Sequence, residues 1–317
     1  MKCLVTGGAG FIGSHLCLNL LQARRDVVAL DDLSLGQEKF LTPCQDFKNF
    51  KFIKSDLLDL PATIKACEGV SQVWHLAANS DISSGGKTTD IDLKIGTLAT
   101  YNVLEAMRVS DVKEIIFSST SAIYGEALIK PTPENYGPLL PISFYGASKV
   151  ACETLATAFS HSYDFKVWIY RFANIVGSHT THGAIHDFIK KLRVNPDSLE
   201  ILGNGKQAKS YLHVKDCVDG MLFGVEKSRD SVNLFNLASR GVCSVDQIAN
   251  LVISGMKLKA KKVFTGGERG WKGDVSQVNL DGAKLQKLGF VPSLESSQAV
   301  KRAIEDILGD SHMGISS

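Results

Sequence analysis

The sequence predicts an α/β fold of the doubly wound kind, a parallel sheet covered by helices, with a smaller α/β lobe beside it for a substrate. Three observations predict it. Short apolar runs alternate with helical patterns through the first half of the 317-residue chain, as in a parallel sheet wrapped by its crossover helices. A glycine-rich turn joins the first apolar run to the first helical one. Past residue 173 the pattern changes to short segments separated by turns.

In chain order, residues 3–5 form a strand, 11–22 carry apolar residues at helical spacing, and 27–30 form a second strand. Apolar runs at 52–53, 73–76, 114–117 and 167–170 predict further strands, and helices are expected near 61–68, 95–109 and 147–163. A loop rich in glycine, histidine and threonine at 177–183 leads into a helix at 184–193. Short segments follow at 199–202, 211–214 and 232–237, with helices at 216–227, 244–254 and 295–308. We therefore expect residues 1–173 to be mainly a dinucleotide-binding domain and 174–317 mainly the substrate lobe, with some segments returning to the large sheet.

Composition narrows the function. The chain is 44% hydrophobic and 21% charged, with 28 glycines and eight prolines, as in a globular protein. A net charge of +2, from 35 basic and 33 acidic residues, gives little footing for a nucleic-acid partner. The cluster Lys259, Lys261 and Lys262 reads as solvated surface. Seven cysteines without a CxxC spacing read as reduced thiols, neither a disulfide framework nor a zinc site. The apolar pair Leu4-Val5 breaks at once into Thr6-Gly7-Gly8, so neither a signal peptide nor a membrane span is expected. A cytoplasmic location is the default expectation.

The segment Thr6-Gly7-Gly8-Ala9-Gly10-Phe11-Ile12-Gly13 follows a strand and opens a helix. Glycines at 7, 10 and 13 permit a tight turn and let a pyrophosphate approach bare backbone, while the amides near Phe11 and Ile12 point at the phosphates. Asp31 closes the next strand, 24 residues after Gly7, with Asp32 beside it. A carboxylate there accepts bonds from ribose hydroxyls and repels a 2′-phosphate, favouring NAD over NADP in a Rossmann-type site. A purely structural glycine turn, with Asp31 capping a loop, is the alternative. Asp56-Leu57 follows a strand and suits the adenine; Ala77-Ala78-Asn79 ends another near the nicotinamide side. Ordinary loop chemistry would also account for these.

Tyr145 and Lys149 stand four residues apart at the opening of a helical run, hence on one face. A nearby ammonium favours phenolate over phenol, so the pair is a candidate tyrosine base, and the lysine is also a candidate ribose contact. Thr120, within Ser118-Ser119-Thr120-Ser121, lies just past a strand end, where such sheets place ligands. Tyr-x-x-x-Lys is common by chance; its agreement with the glycine turn and the hydroxyl cluster gives it weight.

Together these residues resemble the extended short-chain dehydrogenase/reductase family, and within it the UDP-galactose 4-epimerase group in its archaeal-like form. The resemblance runs nearly end to end, through the glycine turn, His75-Leu76-Ala77-Ala78, residues 118–125, Tyr145 to Lys149, Arg171-Phe172-Ala173-Asn174 and residues 211–216. It implies an enzyme holding NAD and a UDP-sugar. In such an enzyme Tyr145, its pKa lowered by Lys149, removes the proton of the sugar 4-hydroxyl while hydride passes from C4 to NAD. Thr120 bonds the same oxygen, and the 4-keto sugar turns over and recovers the hydride on its other face. Ser118 would then touch the cofactor, while Asn79, Ser121, Asn174, Lys209 and Arg269 would face the substrate. No metal is implied, and His179, His182 and His186 are read as surface or lobe residues. Related proteins dimerise through helices at the positions of 95–109 and 147–163, so a homodimer is implied.

Departures from the pattern matter too. Related sugar dehydratases carry an Asp-Glu pair after the catalytic threonine, where this chain has Ser121 and Ala122. Epimerisation is thereby favoured over dehydration, with another extended-family activity or a non-catalytic NAD-binding role as alternatives. Leu93 stands where the family has asparagine in Asn-x-x-Gly-Thr, and Lys209 replaces an arginine, keeping charge without the guanidinium fork. Arg269 is the candidate diphosphate contact, Trp271 is either a contact or a packing residue, and Val278 is smaller than the tyrosine of some relatives, leaving room for an N-acetyl group.

Overall fold

A computed structural model describes residues 1–270 and 273–312, the side chains of 310–312 excepted. Its centre is a seven-stranded, all-parallel sheet of β1 (Lys2–Thr6), β2 (Asp26–Asp31), β3 (Phe50–Lys54), β4 (Gln72–His75), β5 (Glu114–Thr120), β6 (Lys166–Phe172) and β7 (Val232–Leu237). The order across it is β7-β6-β5-β4-β1-β2-β3. Strand order therefore reverses between β1 and β4, the crevice where open α/β sheets bind ligands.

Strand residues alternate between two apolar cores, as the period of two requires. Cys3, Val5, Val27, Ala29, Trp74, Ile116, Trp168 and Tyr170 face α1 (Phe11–Gln22) and Val214–Lys227. Leu4, Val28, Leu30, Val73, Ile115, Phe117, Val167 and Ile169 face the opposite helices, α2 (Leu60–Cys67), α3 (Ala99–Val109) and α4 (Phe144–Tyr163). Gln72 and His75, at the ends of β4, are the polar residues of an otherwise apolar strand, and both are buried.

The second half divides its loyalties. β7 completes the large sheet beside β6, and Val214–Lys227 packs on it. The smaller lobe has its own core, built from α5 (Ala184–Val194), Val245–Gly255 and Ser296–His312, with Leu199 and Ile201 from a short strand. Two-residue strands at Ala208–Lys209, Cys243–Ser244 and Gln277–Val278, too short to show a period, pair into a small sheet.

Helix boundaries follow local chemistry. Ser143 caps α4 by accepting from the Gly146 amide at 3.1 Å, so the helix starts at Phe144 and Tyr145 lies in its first turn. Ser244 and Gln247 form a reciprocal capping box. The helix expected at 95–109 is interrupted at its start: Leu93–Leu98 is a π-turn, and the α-helix begins at Ala99. Along it Leu98, Tyr101 and Val109 stand exposed, on one of the two helices that the resemblance assigns to a second copy. Among the described residues, no helix is long and apolar enough to cross a membrane.

Candidate active site

The carboxyl ends of the sheet open into one cavity of about 850 Å³. Gly7, Gly10, Phe11, Ile12, Gly13, Asp31, Asp32, Asp56, Leu57, Ala77, Ala78 and Ser118 line its dinucleotide half. Thr120, Ser121, Tyr145, Lys149, Asn174 and Lys209 line the rest, with Val278. Residues 1–120 and 174–278 thus meet at one crevice.

Steric facts account for the glycines. Gly7 has φ +69°, and a Cβ there would lie 2.8 Å from the Ala77 amide nitrogen. A Cβ on Gly13 would come within 2.0 Å of the Gly7 carbonyl oxygen. Gly10 begins α1 with no side-chain cap, and the first helical bond runs from Ser14 N to Gly10 O (3.0 Å). The amides before it are left to an anion. Asp31 accepts from Ala9 N at 3.0 Å through Oδ2 and from Leu33 N at 2.8 Å through Oδ1. Burial raises its pKa, and these two amides oppose the rise. Gly36 closes over it, since a Cβ would meet Oδ1 at 2.7 Å. A bare-backbone cradle and an oriented carboxylate on one cavity wall fit a dinucleotide.

A buried relay fixes this corner. The Thr100 hydroxyl donates to Gly96 O (2.8 Å), so it accepts from His75 Nε2 (2.9 Å). The other ring nitrogen, Nδ1, then accepts from Thr6 Oγ1 (2.6 Å), whose lone pair receives the Ala77 amide (3.4 Å). The imidazole is neutral, its pKa pushed down to about 3, first by burial and then by the charge of Lys149. Unfolded, the same ring titrates near 6.5, so its contribution to stability is fully present above that pH and is lost as pH falls toward 3. Between pH 7 and 5 we expect a loss of about 2 kcal/mol from this residue. Urea midpoints of wild type and His75→Gln at both pH values check it; a parallel decline in the two proteins would remove His75 as the source.

Around Tyr145 the arrangement departs from expectation in one respect. Lys149 Nζ donates to Ser118 O at 2.7 Å and lies 4.6 Å from the Phe117 ring centroid and 5.8 Å from that of Tyr145. The lysine therefore sits below the phenol ring. Burial raises the Tyr145 pKa, and the bond with Thr120 opposes the rise. The expected lowering of Tyr145 by Lys149 is accordingly corrected: burial sets the direction, and Thr120, not Lys149, is what opposes it. Burial also lowers Lys149 itself, to about 8.

Two of the expected substrate contacts are not among the residues lining the cavity. The Asn79 side chain is buried and donates to Asp81 O (3.0 Å), Ser84 Oγ (2.9 Å) and Asp92 Oδ1 (3.1 Å), anchoring the loop after β4 instead of lining the cavity. Arg269 pairs with Glu126 at the surface and is absent from the cavity wall. Lys209 reaches the wall but is bound to Asp274 at 2.6 Å. Asn174 lies on the wall and donates to Ser210 O at 3.3 Å. His179 stacks on Phe40, 4.3 Å between centroids, and bonds Ser14. Trp271 lies outside the described residues.

Sequence reasoning also passed over a buried ion pair behind the site. Arg171 grips both oxygens of Glu153, at 3.0 and 2.7 Å, and the Ser119 hydroxyl donates to the same carboxylate. The guanidinium also donates to Glu134 O (2.8 Å) and Tyr124 OH (2.9 Å), and Tyr124 donates to Asn236 Oδ1 (2.7 Å). β5, α4, β6 and β7 are thereby locked around the strand end carrying Ser118 and Thr120. The signal lay in the polar residues on the inward faces of α4 and β6.

The sequence matches the NAD dependent epimerase/dehydratase family over residues 3–238. An uncharacterised UDP-glucose epimerase of Bacillus subtilis, YtcB, is 34% identical over 270 residues, covering 81% of this chain and 83% of its own. A solved UDP-galactose 4-epimerase superposes with a TM-score of 0.87 at 34% identity, covering 98% of this chain and 99% of that one. A Thermotoga maritima UDP-glucose 4-epimerase solved with UDP-glucose gives 0.87 at 30% identity, over 96% and 98%.

Proposed function

The chain belongs to the NAD dependent epimerase/dehydratase family, and from that premise we propose that it is a UDP-sugar 4-epimerase interconverting UDP-glucose and UDP-galactose. The observation that carries the choice is Ser121-Ala122 directly after Thr120. A 4,6-dehydration needs an acid/base pair at those positions, and a hydroxymethyl and a methyl group offer no carboxylate to take the proton from C5. The loss of water across C5 and C6 that a dehydratase carries out therefore has no base here.

Glycines 7, 10 and 13 and Asp31 hold NAD, which when bound supplies the hydride acceptor and donor. Every other task falls to the chain's own side chains. Tyr145 takes the proton of the sugar 4-hydroxyl and returns it after the keto sugar has turned over. Thr120, hydrogen-bonded to Tyr145, holds the same oxygen and lowers the cost of ionising the phenol. Lys149, anchored on Ser118 O, puts a positive charge beneath the ring. Lys209 and Asn174, on the wall beyond Thr120, face the nucleotide end of the substrate. Val278 is only partly buried on that wall and leaves space at the sugar, so UDP-GlcNAc is the second substrate to try.

Proton NMR of the purified protein with UDP-glucose, UDP-GlcNAc and UDP-glucuronate, each without added reductant, tests the reading. We expect the 4-epimer of UDP-glucose to appear with no net oxidation. A keto or unsaturated sugar would transfer the protein to the dehydratases, and an unchanged spectrum with all three would reject these substrates.

A further inference from the structure

Asp92 takes no part in the reaction above, yet its surroundings are unusual for an idle carboxylate. It is 1% exposed. Oδ1 accepts from Asn79, while Oδ2 has no hydrogen-bond partner among the described residues. Gly85 is packed so closely that a Cβ there would lie 2.6 Å from Oδ2. The Asp92 carbonyl accepts from Ser148 Oγ at 2.8 Å, tying it to the residue next to Lys149. Asp92 directly precedes the π-turn, in αR geometry, and is buried while the next residue, Leu93, is 61% exposed.

An uncommitted buried carboxylate oxygen is costly and calls for a cation. Lys149 and Tyr145 from α4 and Asp81 from the loop after β4 interact with it. Burial raises its own pKa, and Asn79 and the Lys149 charge oppose the rise. Cys152 and Glu153 from α4 and His75 from β4 surround the Tyr145–Lys149 pair. Glu153 is already spent on Arg171 and Ser119, and Cys152 on Thr100. We propose that Asp92 is a positioning residue for the Tyr145–Lys149 pair, its free oxygen serving as the counter-charge that keeps the buried Lys149 ammonium beneath the tyrosine. The proposal rests on reading Tyr145 and Lys149 as the proton-handling pair.

Electrostatics fixes the sign. The negative charge of Asp92 raises the proton affinity of both Lys149 and Tyr145. Asp92→Asn keeps shape and removes charge, so both groups should give up protons more readily. In the NAD-loaded enzyme the whole pH profile of kcat should move to lower pH by about one unit, with KM unchanged. A second readout does not depend on turnover: 13Cε-lysine NMR, with Lys149 assigned by its loss in Lys149→Met. The Lys149 titration, near 8 in wild type, should fall by about one unit in Asp92→Asn. Should Asp92→Asn not fold, Asn79→Ser removes the donor that favours the ionised Asp92 and should give a smaller shift in the same direction. Superimposable titrations and a kcat lowered equally at every pH would overturn the proposal in favour of a structural role. If wild type epimerises no sugar, the functional reading fails, and the lysine titration still decides the role of Asp92.

Discussion

Tyr145→Phe is expected to lower kcat roughly a thousand-fold, with NAD and UDP-sugar affinities changed by no more than a few-fold. The substitution deletes one oxygen and leaves the ring, so the packing above Lys149 and the first turn of α4 survive. What disappears is the phenol oxygen toward which Thr120 donates on the wall of the cavity. Thr120 cannot replace it, because a hydroxyl of ordinary aliphatic acidity does not yield a base at neutral pH. Stopped-time NMR of product, with equilibrium binding of each ligand, separates the chemical step from binding. Turnover within a factor of ten of wild type would show that another group moves the proton.

Arg171→Ala should destabilise the fold by about 3–5 kcal/mol, the usual cost of stranding one member of a buried ion pair. Both side chains are nearly inaccessible, 6% and 7% exposed, and Glu153 would lose two of its donors at once. Against a typical domain stability of about 5–15 kcal/mol this is a large fraction. The pair also braces the strand end that bears Thr120, so kcat should fall even where the protein remains folded. The double change Arg171→Met with Glu153→Gln removes the stranded charge and should recover part of the loss. Urea unfolding of wild type and the two variants measures this; a cost below about 1 kcal/mol for Arg171→Ala would mean that water reaches the pair.

Much of the site was legible because its signals are local. Glycines 7 and 13 answer to contacts within a single turn, or with the chain just past the neighbouring strand, that only a missing Cβ permits. Tyr145 and Lys149 share a face because they share a helix. Asn79 and Arg269 misled because a motif position names a residue and not the direction of its side chain. In the fold, Asn79 finds three acceptors within its own loop and with Asp92, and Arg269 finds Glu126. The pKa of Tyr145 misled for a related reason: spacing predicts a neighbouring charge but not the desolvation that competes with it.

By itself the sequence determined the parallel sheet, and it located the glycine turn and the Tyr145–Lys149 pair that we propose handle cofactor and proton. Periodicity of two and of 3.6, and the sterics of glycine, act over a few residues and are written directly in the order of side chains. Only the tertiary structure decided where distant segments meet. Lys209 comes beside Val278 through pairing of two-residue strands and reaches Asp274 across 65 residues. Arg171 closes on Glu153 from the next strand, and Asp92 enters the interior while Leu93 beside it stays exposed. These placements depend on which surfaces are buried against one another, a property of the packed chain that no short window of residues contains.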